Sequence, residues 1–219
     1  MLFRSDCSEV FTNGNRSDGV YNLSPSTGQP FEVYCQFDQE GLWTIIQKRV
    51  DGTVDFHRSW IEYKNGFGLM DSSFWLGNDK IHVLTQQKQM KLRIQITDWD
   101  GVTRYADYKF FRVGDESNKY VLSYSQYSGT AGDALGDYHE DTVFSTFDFD
   151  NDDARSEACA EEHGGGWWFN DCDHANLNGY YNYDPTLDGS IDSGIEWDTW
   201  KRMYSFRETV MKIKPAFNN

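Results

Sequence analysis

Met90-Lys91-Leu92-Arg93-Ile94-Gln95-Ile96-Thr97 alternates apolar and polar side chains along its whole length. A period of two sends one set to a buried face and the other to a polar face, so the stretch reads as a half-buried strand. Downstream, 103–113 and 120–124 are its candidate partners. Upstream, 31–37 and 43–49 read as strands, and the Ser24-Pro25-Ser26-Thr27-Gly28 cluster reads as a turn. Near the end, 209–214 is a further strand, stopped at Pro215. Ser59 is placed to cap a short helix carrying Trp60, Ile61 and Tyr63 and ended by Gly66, and Asp79 to cap another through Leu84. Antiparallel strands with short helices make the class α+β.

From about Ser125 to Trp197 neither a helical nor an alternating period holds for long. Gly, Asp, Asn and aromatic residues dominate, and a stretch this long without regular elements is usually functional or disordered. Trp167, Trp168, Tyr180, Tyr181 and Trp197 argue for order, and hence for a site built from loops. The charge agrees. The 219 residues carry 35 acidic and 20 basic side chains, a net −15. Between Gly132 and Asp198 there are 18 acidic residues and one basic residue, Arg155, while the rest of the chain is near neutral. Such a balance excludes binding phosphate backbones through a broad basic face. Its concentration in one third of the chain calls for a cation or a cationic partner. Aromatic content of 16% excludes a disordered chain, and no apolar run is long enough to span a bilayer.

The four cysteines form no Cys-x-x-Cys, which argues against a redox motif or zinc knuckle. Three pairings are open, of which the local one, Cys7–Cys35 with Cys159–Cys172, is the simplest. Sequons at Asn15 and Asn22 lie near the first pair and lean toward an oxidising, secretory setting. The first residues hold no apolar core of signal-peptide length, so the chain reads either as cytosolic or as a mature fragment behind an added Met.

Asp148-Phe149-Asp150-Asn151-Asp152-Asp153 is the strongest chemical motif. Alternating carboxylates on a turning backbone offer the hard oxygens that calcium takes. The run opens like an EF-hand loop but fails further on, with Asp153 at the sixth position and Cys159 at the twelfth. A different calcium loop, completed by carbonyls, is expected. Between Cys159 and Cys172 stand Gly164-Gly165-Gly166-Trp167-Trp168, a tight backbone packed under large rings. No Gly-x-Ser-x-Gly elbow, phosphate loop or His-Glu-x-x-His occurs. His163 and His174 with Asp173, or a chance pair of carboxylates, could in principle serve a hydrolase. An enzyme is not expected.

Taken together, Phe144-Ser145-Thr146-Phe147-Asp148-Phe149-Asp150-Asn151-Asp152, Cys159-Ala160-Glu161-Glu162, Gly165-Gly166-Trp167-Trp168-Phe169-Asn170, Cys172 and Asn176-Leu177-Asn178-Gly179-Tyr180 resemble a fibrinogen-related domain. The resemblance extends to Tyr34-Cys35, Trp43-Thr44-Ile45-Ile46-Gln47-Lys48-Arg49-Val50-Asp51-Gly52, Phe74-Trp75-Leu76-Gly77-Asn78 and Met211-Lys212-Ile213-Lys214-Pro215. These modules occur in fibrinogen, ficolins, tachylectins, tenascins and angiopoietins. The resemblance implies one domain over 1–219: a small disulfide-bonded N-terminal part (about 1–45), a central twisted, mainly antiparallel sheet (46–130 plus 205–215), and a loop-rich calcium- and ligand-binding part (131–204). It also implies the disulfides Cys7–Cys35 and Cys159–Cys172.

Carried over residue by residue, calcium would take the side chains of Asp150 and Asp152 and the carbonyls of Ala154 and Ser156. The segment from Asp152 to Cys159 is one residue longer than the family's usual one, and Glu157-Ala158 replaces the common Gly-Asn. The family's pocket lies beside the second disulfide. A cis peptide often precedes the second Cys, here Asp171-Cys172, and would aim the amides of Cys172 and Asp173 at a ligand oxygen. Asp173 stands where acetyl binders have a His, with His174 one place on. His163 replaces a common Tyr, and Ile191-Asp192 replaces a Tyr-Ala pair. Glu162, Asp173 and Asp192 together imply a pocket that prefers cations.

The resemblance thus implies a secreted, non-enzymatic, calcium-binding recognition module. The favoured expectation is a lectin-like pattern-recognition protein of innate defence, binding acetylated or amino-bearing glycans on microbial surfaces. The alternatives are a module that engages a protein receptor or basic peptide end, and a structural matrix module. Any oligomer would assemble through segments upstream. Neither nucleic acid nor a membrane span is expected.

Overall fold

In the computed structural model, which describes residues 4–10, 17–185 and 193–217, the alternating stretch is a strand at the heart of a large sheet. After a one-turn helix α1 (Cys7–Val10) come β1 (Gly19–Leu23), β2 (Phe31–Asp38) and β3 (Gly41–Arg49), then α2 (Trp60–Asn65), β4 (Phe67–Gly68), β5 (Phe74–Trp75) and α3 (Asn78–Gln87). β6 (Met90–Thr97), β7 (Thr103–Val113) and β8 (Leu122–Gly129) follow as a meander. Beyond β8 lie α4 (Cys159–Glu162), β9 (Ala175–Asn176) and β10 (Glu196–Trp197), before β11 (Glu208–Pro215). The sheet runs β1-β2-β3-β11-β6-β7-β8, with β5 attached to β3 and β4 to β5, and every pairing is antiparallel.

β11 lies between β3 and β6, so the end of the chain closes the centre of the sheet. Leu92, Ile94 and Ile96 are wholly buried, as the alternation requires. A bulge between Met211 and Lys212 changes which residues of β3 share a face. Lys212 opposes Ile45 and Arg93, whereas Met211 opposes Gln47 and Ile94. Cross-strand partners point the same way, so Ile45 and Gln47 face opposite sides although only two positions separate them. Gln47 and Arg49 are thereby turned toward the loops that carry the site.

The two disulfides are Cys7–Cys35 and Cys159–Cys172, and no described cysteine is free. α2 starts at Ser59 as expected, with the Glu62 carboxylate accepting the Ser59 N–H at 3.0 Å and its hydroxyl at 2.7 Å. The expected start of the next helix needs correction. α3 is capped at Gly77, not Asp79, and runs past Leu84 to Gln87. Gly77 has φ +112°, and a Cβ there would stand 2.7 Å from the Asn65 backbone, so only glycine fits this corner. Asp79 instead accepts the Tyr120 hydroxyl at 2.6 Å. No helix among the described residues is long and apolar enough to cross a membrane.

Candidate functional site

Two loop systems meet beside the second disulfide. In the first, Ser145 and Trp167 exchange backbone hydrogen bonds at 2.9 and 3.1 Å, and Thr146 and Phe149 close a tight turn at 3.1 and 3.0 Å. Asn151 holds the turn open by donating its side-chain amide to the carbonyl of Phe144 at 2.9 Å. The chain then folds around two carboxylates. Asp150 Oδ1 accepts the N–H of Asp152 at 3.2 Å. Asp152 accepts the N–H of Ala154 at 3.0 Å and that of Cys159, at the head of α4, at 2.9 Å. Burial, with Asp150 beside it, pushes the Asp152 carboxyl up to about 6. Asp150 and Ser156 are exposed, and Asp152 and Ala154 half-buried.

Among the described residues no three His, Cys, Asp or Glu side chains gather tightly enough to hold a metal alone. A cation here would need backbone oxygens beside the two carboxylates. That donor set, all oxygen and doubly anionic, fits calcium chemistry better than that of zinc, whose sites are built mainly from nitrogen and sulfur ligands.

The second system carries the expected pocket residues. Cys172 is tied to α4 through Cys159, and its carbonyl accepts the N–H of Asn170 at 2.8 Å. His163 follows α4, and its Nδ1 lies 3.8 Å from Asp173 Oδ2, whose side chain is only 5% exposed. His174 stacks on Tyr138 with ring centroids 4.1 Å apart. Cys172, Asp173, His174 and His163 are therefore brought together. Glu162 adjoins His163 but points to solvent. Ile191, Asp192 and the sequon residue Asn15 lie outside the described residues, whereas Asn22 is exposed on the edge strand β1.

The expected cis peptide is a correction: every described peptide bond is trans, Asp171-Cys172 included. A non-proline cis bond carries a cost that the surroundings must offset. Here the trans turn is held by the Asn170–Cys172 bond and by the Tyr138 hydroxyl donating to the carbonyl of Asp171.

Sequence reasoning missed His139. It is fully buried, and its Nδ1 lies 2.8 Å from the carbonyl of Trp168. A carbonyl only accepts, so Nδ1 carries the proton and leaves Nε2 to accept the His174 N–H at 3.1 Å. Burial lowers the ring to about 4, so it is neutral at physiological pH. This neutral ring fixes the backbone next to Asp173. Asn170 also went unrecognised as a brace, its side-chain amide donating to the carbonyl of Tyr138 at 2.9 Å.

The comparisons agree with this architecture. Residues 3–216 match the family described as fibrinogen beta and gamma chains, C-terminal globular domain, and the chain belongs to that family. It is 44% identical to fibrinogen-like protein 1 of Bos taurus over 96% of this chain and 72% of that protein. It is also 44% identical to the fibrinogen gamma chain of Mus musculus, over 96% of this chain and 54% of that one. The fibrinogen-like globe domain of human ANGPTL2 superposes with a TM-score of 0.93 at 36% identity, over 98% of this chain and all of that one. A lamprey fibrin D-dimer in complex with the peptide Gly-His-Arg-Pro-amide superposes at 0.92 with 40% identity, over 100% of this chain and 75% of that chain. The family is one of non-enzymatic proteins.

Proposed function

We propose that this chain is the recognition domain of a secreted protein, spanning 1–219, that binds calcium and takes a positively charged peptide end or amine beside the Cys159–Cys172 disulfide. The observation that supports it most directly is the Asp173 carboxylate, held in the wall next to Cys172 and 3.8 Å from His163. A low-dielectric, acidic cleft favours cations and opposes anions. The lamprey relative's complex with a basic peptide is consistent with this choice. Calcium is assigned to the side chains of Asp150 and Asp152, with the carbonyls of Ala154 and Ser156. When bound, it would neutralise the paired carboxylates and tie the turn to α4. Two disulfides and the extracellular character of the relatives support secretion.

A second reading is the lectin-like one, in which acetylated glycans on microbial surfaces are the ligands. The Tyr138–His174 stack beside Cys172 favours it, as an aromatic wall on which an acetyl group or sugar ring could pack. Calorimetry with Gly-His-Arg-Pro-amide, glucosamine and N-acetylglucosamine, with calcium and with chelator, separates the two. The first reading expects the cationic ligands to bind best and Asp173→Asn and added salt to weaken them. Preference for N-acetylglucosamine, indifferent to salt and to that substitution, would establish the lectin reading instead.

A further inference from the structure

A separate cleft of about 380 Å3 opens beside Tyr180, within the roughly 300–1,000 Å3 range of small-molecule sites. Arg49, at the end of β3, forms its floor. Asp55 and His57, from the loop after β3, and Tyr180, Tyr181 and Asn182 form its sides. None of the residues assigned above to calcium or to the pocket beside Cys172 lines it.

Arg49 is the unusual member. It is 1% exposed, yet no carboxylate among the described residues pairs with it at ion-pair distance. Nη1 makes both of its hydrogen bonds, to the carbonyls of Leu177 at 3.3 Å and Gly179 at 2.9 Å. Nε has no acceptor. The guanidinium carbon lies 3.9 Å from the centre of the Phe56 ring, whose face offers only partial compensation. Burial lowers its pKa to about 10, which leaves it charged at neutral pH. A buried charge without a counter-charge is costly, and evolution usually supplies a partner. At the mouth the sign reverses. Asp55 is exposed, with Oδ1 accepting the N–H of His57 at 2.9 Å, and Tyr180 is 40% exposed beside the His57 ring. The two opposite charges share one cleft without pairing with each other.

We propose that this cleft binds a small zwitterion of amino-acid size, carboxylate end first, with the carboxylate on Arg49 Nη2, the ammonium on Asp55 and an apolar side chain against Tyr180 and Tyr181. An anion alone would gain Arg49 but meet Asp55 at the entrance, and a cation alone would meet Arg49 at the floor. Only a ligand carrying both charges is complementary to both ends. The carboxylate could belong to a free amino acid or to the last residue of a peptide, and the ammonium distinguishes them.

Calorimetry and amide-shift mapping on the full chain test this with L-phenylalanine, L-phenylalaninamide and N-acetyl-L-phenylalanine. Phenylalanine should bind, with shifts at Arg49, Asp55 and Tyr181, and each derivative should bind at least about tenfold more weakly, since each loses one charge-assisted contact. Asp55→Asn, at an exposed position, should weaken phenylalanine about tenfold with the melting temperature unchanged. Arg49→Lys risks the fold because Arg49 holds two loop carbonyls, so phenylalaninamide removes the same contact from the ligand side. Equal binding of the amide would refute the Arg49 contact. Equal binding of the N-acetyl derivative would refute the Asp55 contact and assign the cleft to peptide carboxyl ends. Shifts confined to residues around Cys172 would place the ligand in the other site, and any of these results overturns the proposal.

Discussion

His139 illustrates what a single side chain decides in this molecule. Its proton on Nδ1 and its lone pair on Nε2 are both committed, to Trp168 and His174, and protonating Nε2 would turn that acceptor into a donor facing the His174 N–H. The folded ring is held near 4 by burial, whereas an unfolded histidine titrates near 6.5. The unfolded chain therefore takes up a proton first as pH falls. The sign follows: this residue costs nothing above about 6.5, and stability is lost progressively between there and about 4. The full shift corresponds to roughly 3 kcal/mol. Urea denaturation of the protein and of His139→Gln, at pH 7.5 and pH 4.5, measures it. The variant is expected to lose less stability over that interval, and equal losses would contradict the assignment. Nothing in the sequence marks His139, because it follows Tyr138 in a stretch without period and meets its partners 29 and 35 residues later. The cysteine pairing, and the presence of Asp150 and Asp152 in one turn, were legible because spacing within one short run or one family motif carried them. The residues around Arg49 were not, since they come from β3 and from a loop some 130 residues away.

Among the elements, the strand alternations were legible wherever one face is buried and the other polar, as in β6. At β3 the strand itself was legible but its faces were not, since Trp43, Thr44, Ile45, Ile46 and Gln47 are all buried. The bulge in β11 is one reason, since it sends Ile45 and Gln47 to opposite faces. The other is a polar layer over Trp43, whose ring is approached by the charged ends of Lys214 at 4.2 Å, Lys212 at 5.1 Å and Arg93 at 5.4 Å. Arg93 in turn grips Asp107 on β7 through two bonds of 2.6 Å, and Lys91 joins at 2.8 Å. Burial raises the Asp107 carboxyl, but Arg93 and Lys91 outweigh it and hold the group below the usual carboxylate range. Asp107→Asn removes the counter-charge that Arg93 and Lys91 share while nearly preserving shape. Breaking a buried pair from one side typically costs about 3–5 kcal/mol, discounted toward the lower end because Glu40 still reaches Arg93. A denaturation midpoint unmoved by Asp107→Asn would show that the grip adds nothing to the sheet.

At the scale of the whole molecule, the described residues of the acidic third of the chain sit in loops outside the main sheet, held among other contacts by one disulfide, two short strands and the turn around Asp150 and Asp152. Such a region has little regular hydrogen bonding of its own, so its stability depends on cross-links and bound ions more than on secondary structure. The Cys159–Cys172 loop spans 13 residues, a closure worth about 3 kcal/mol in a chain-entropy account. Calcium is expected to add to it, because a cation between two neighbouring carboxylates removes their repulsion and binds only the folded loop. The gain is RT ln(1 + [L]/Kd), about 2.7 kcal/mol at a hundredfold excess over the dissociation constant. Chelation should therefore lower the melting temperature, and Asp150→Ala should abolish most of the difference between calcium and chelator. Asp150 is the informative position, since it is exposed and holds the loop through one backbone hydrogen bond at 3.2 Å. Asp152 is not, because its carboxylate also anchors Ala154 and Cys159 and its loss would disturb the turn without any metal. If calcium leaves the melting temperature of the unaltered protein unchanged, the carboxylates are held by the loop's own amides alone. The net negative charge of the region would then have to be explained by its ligand.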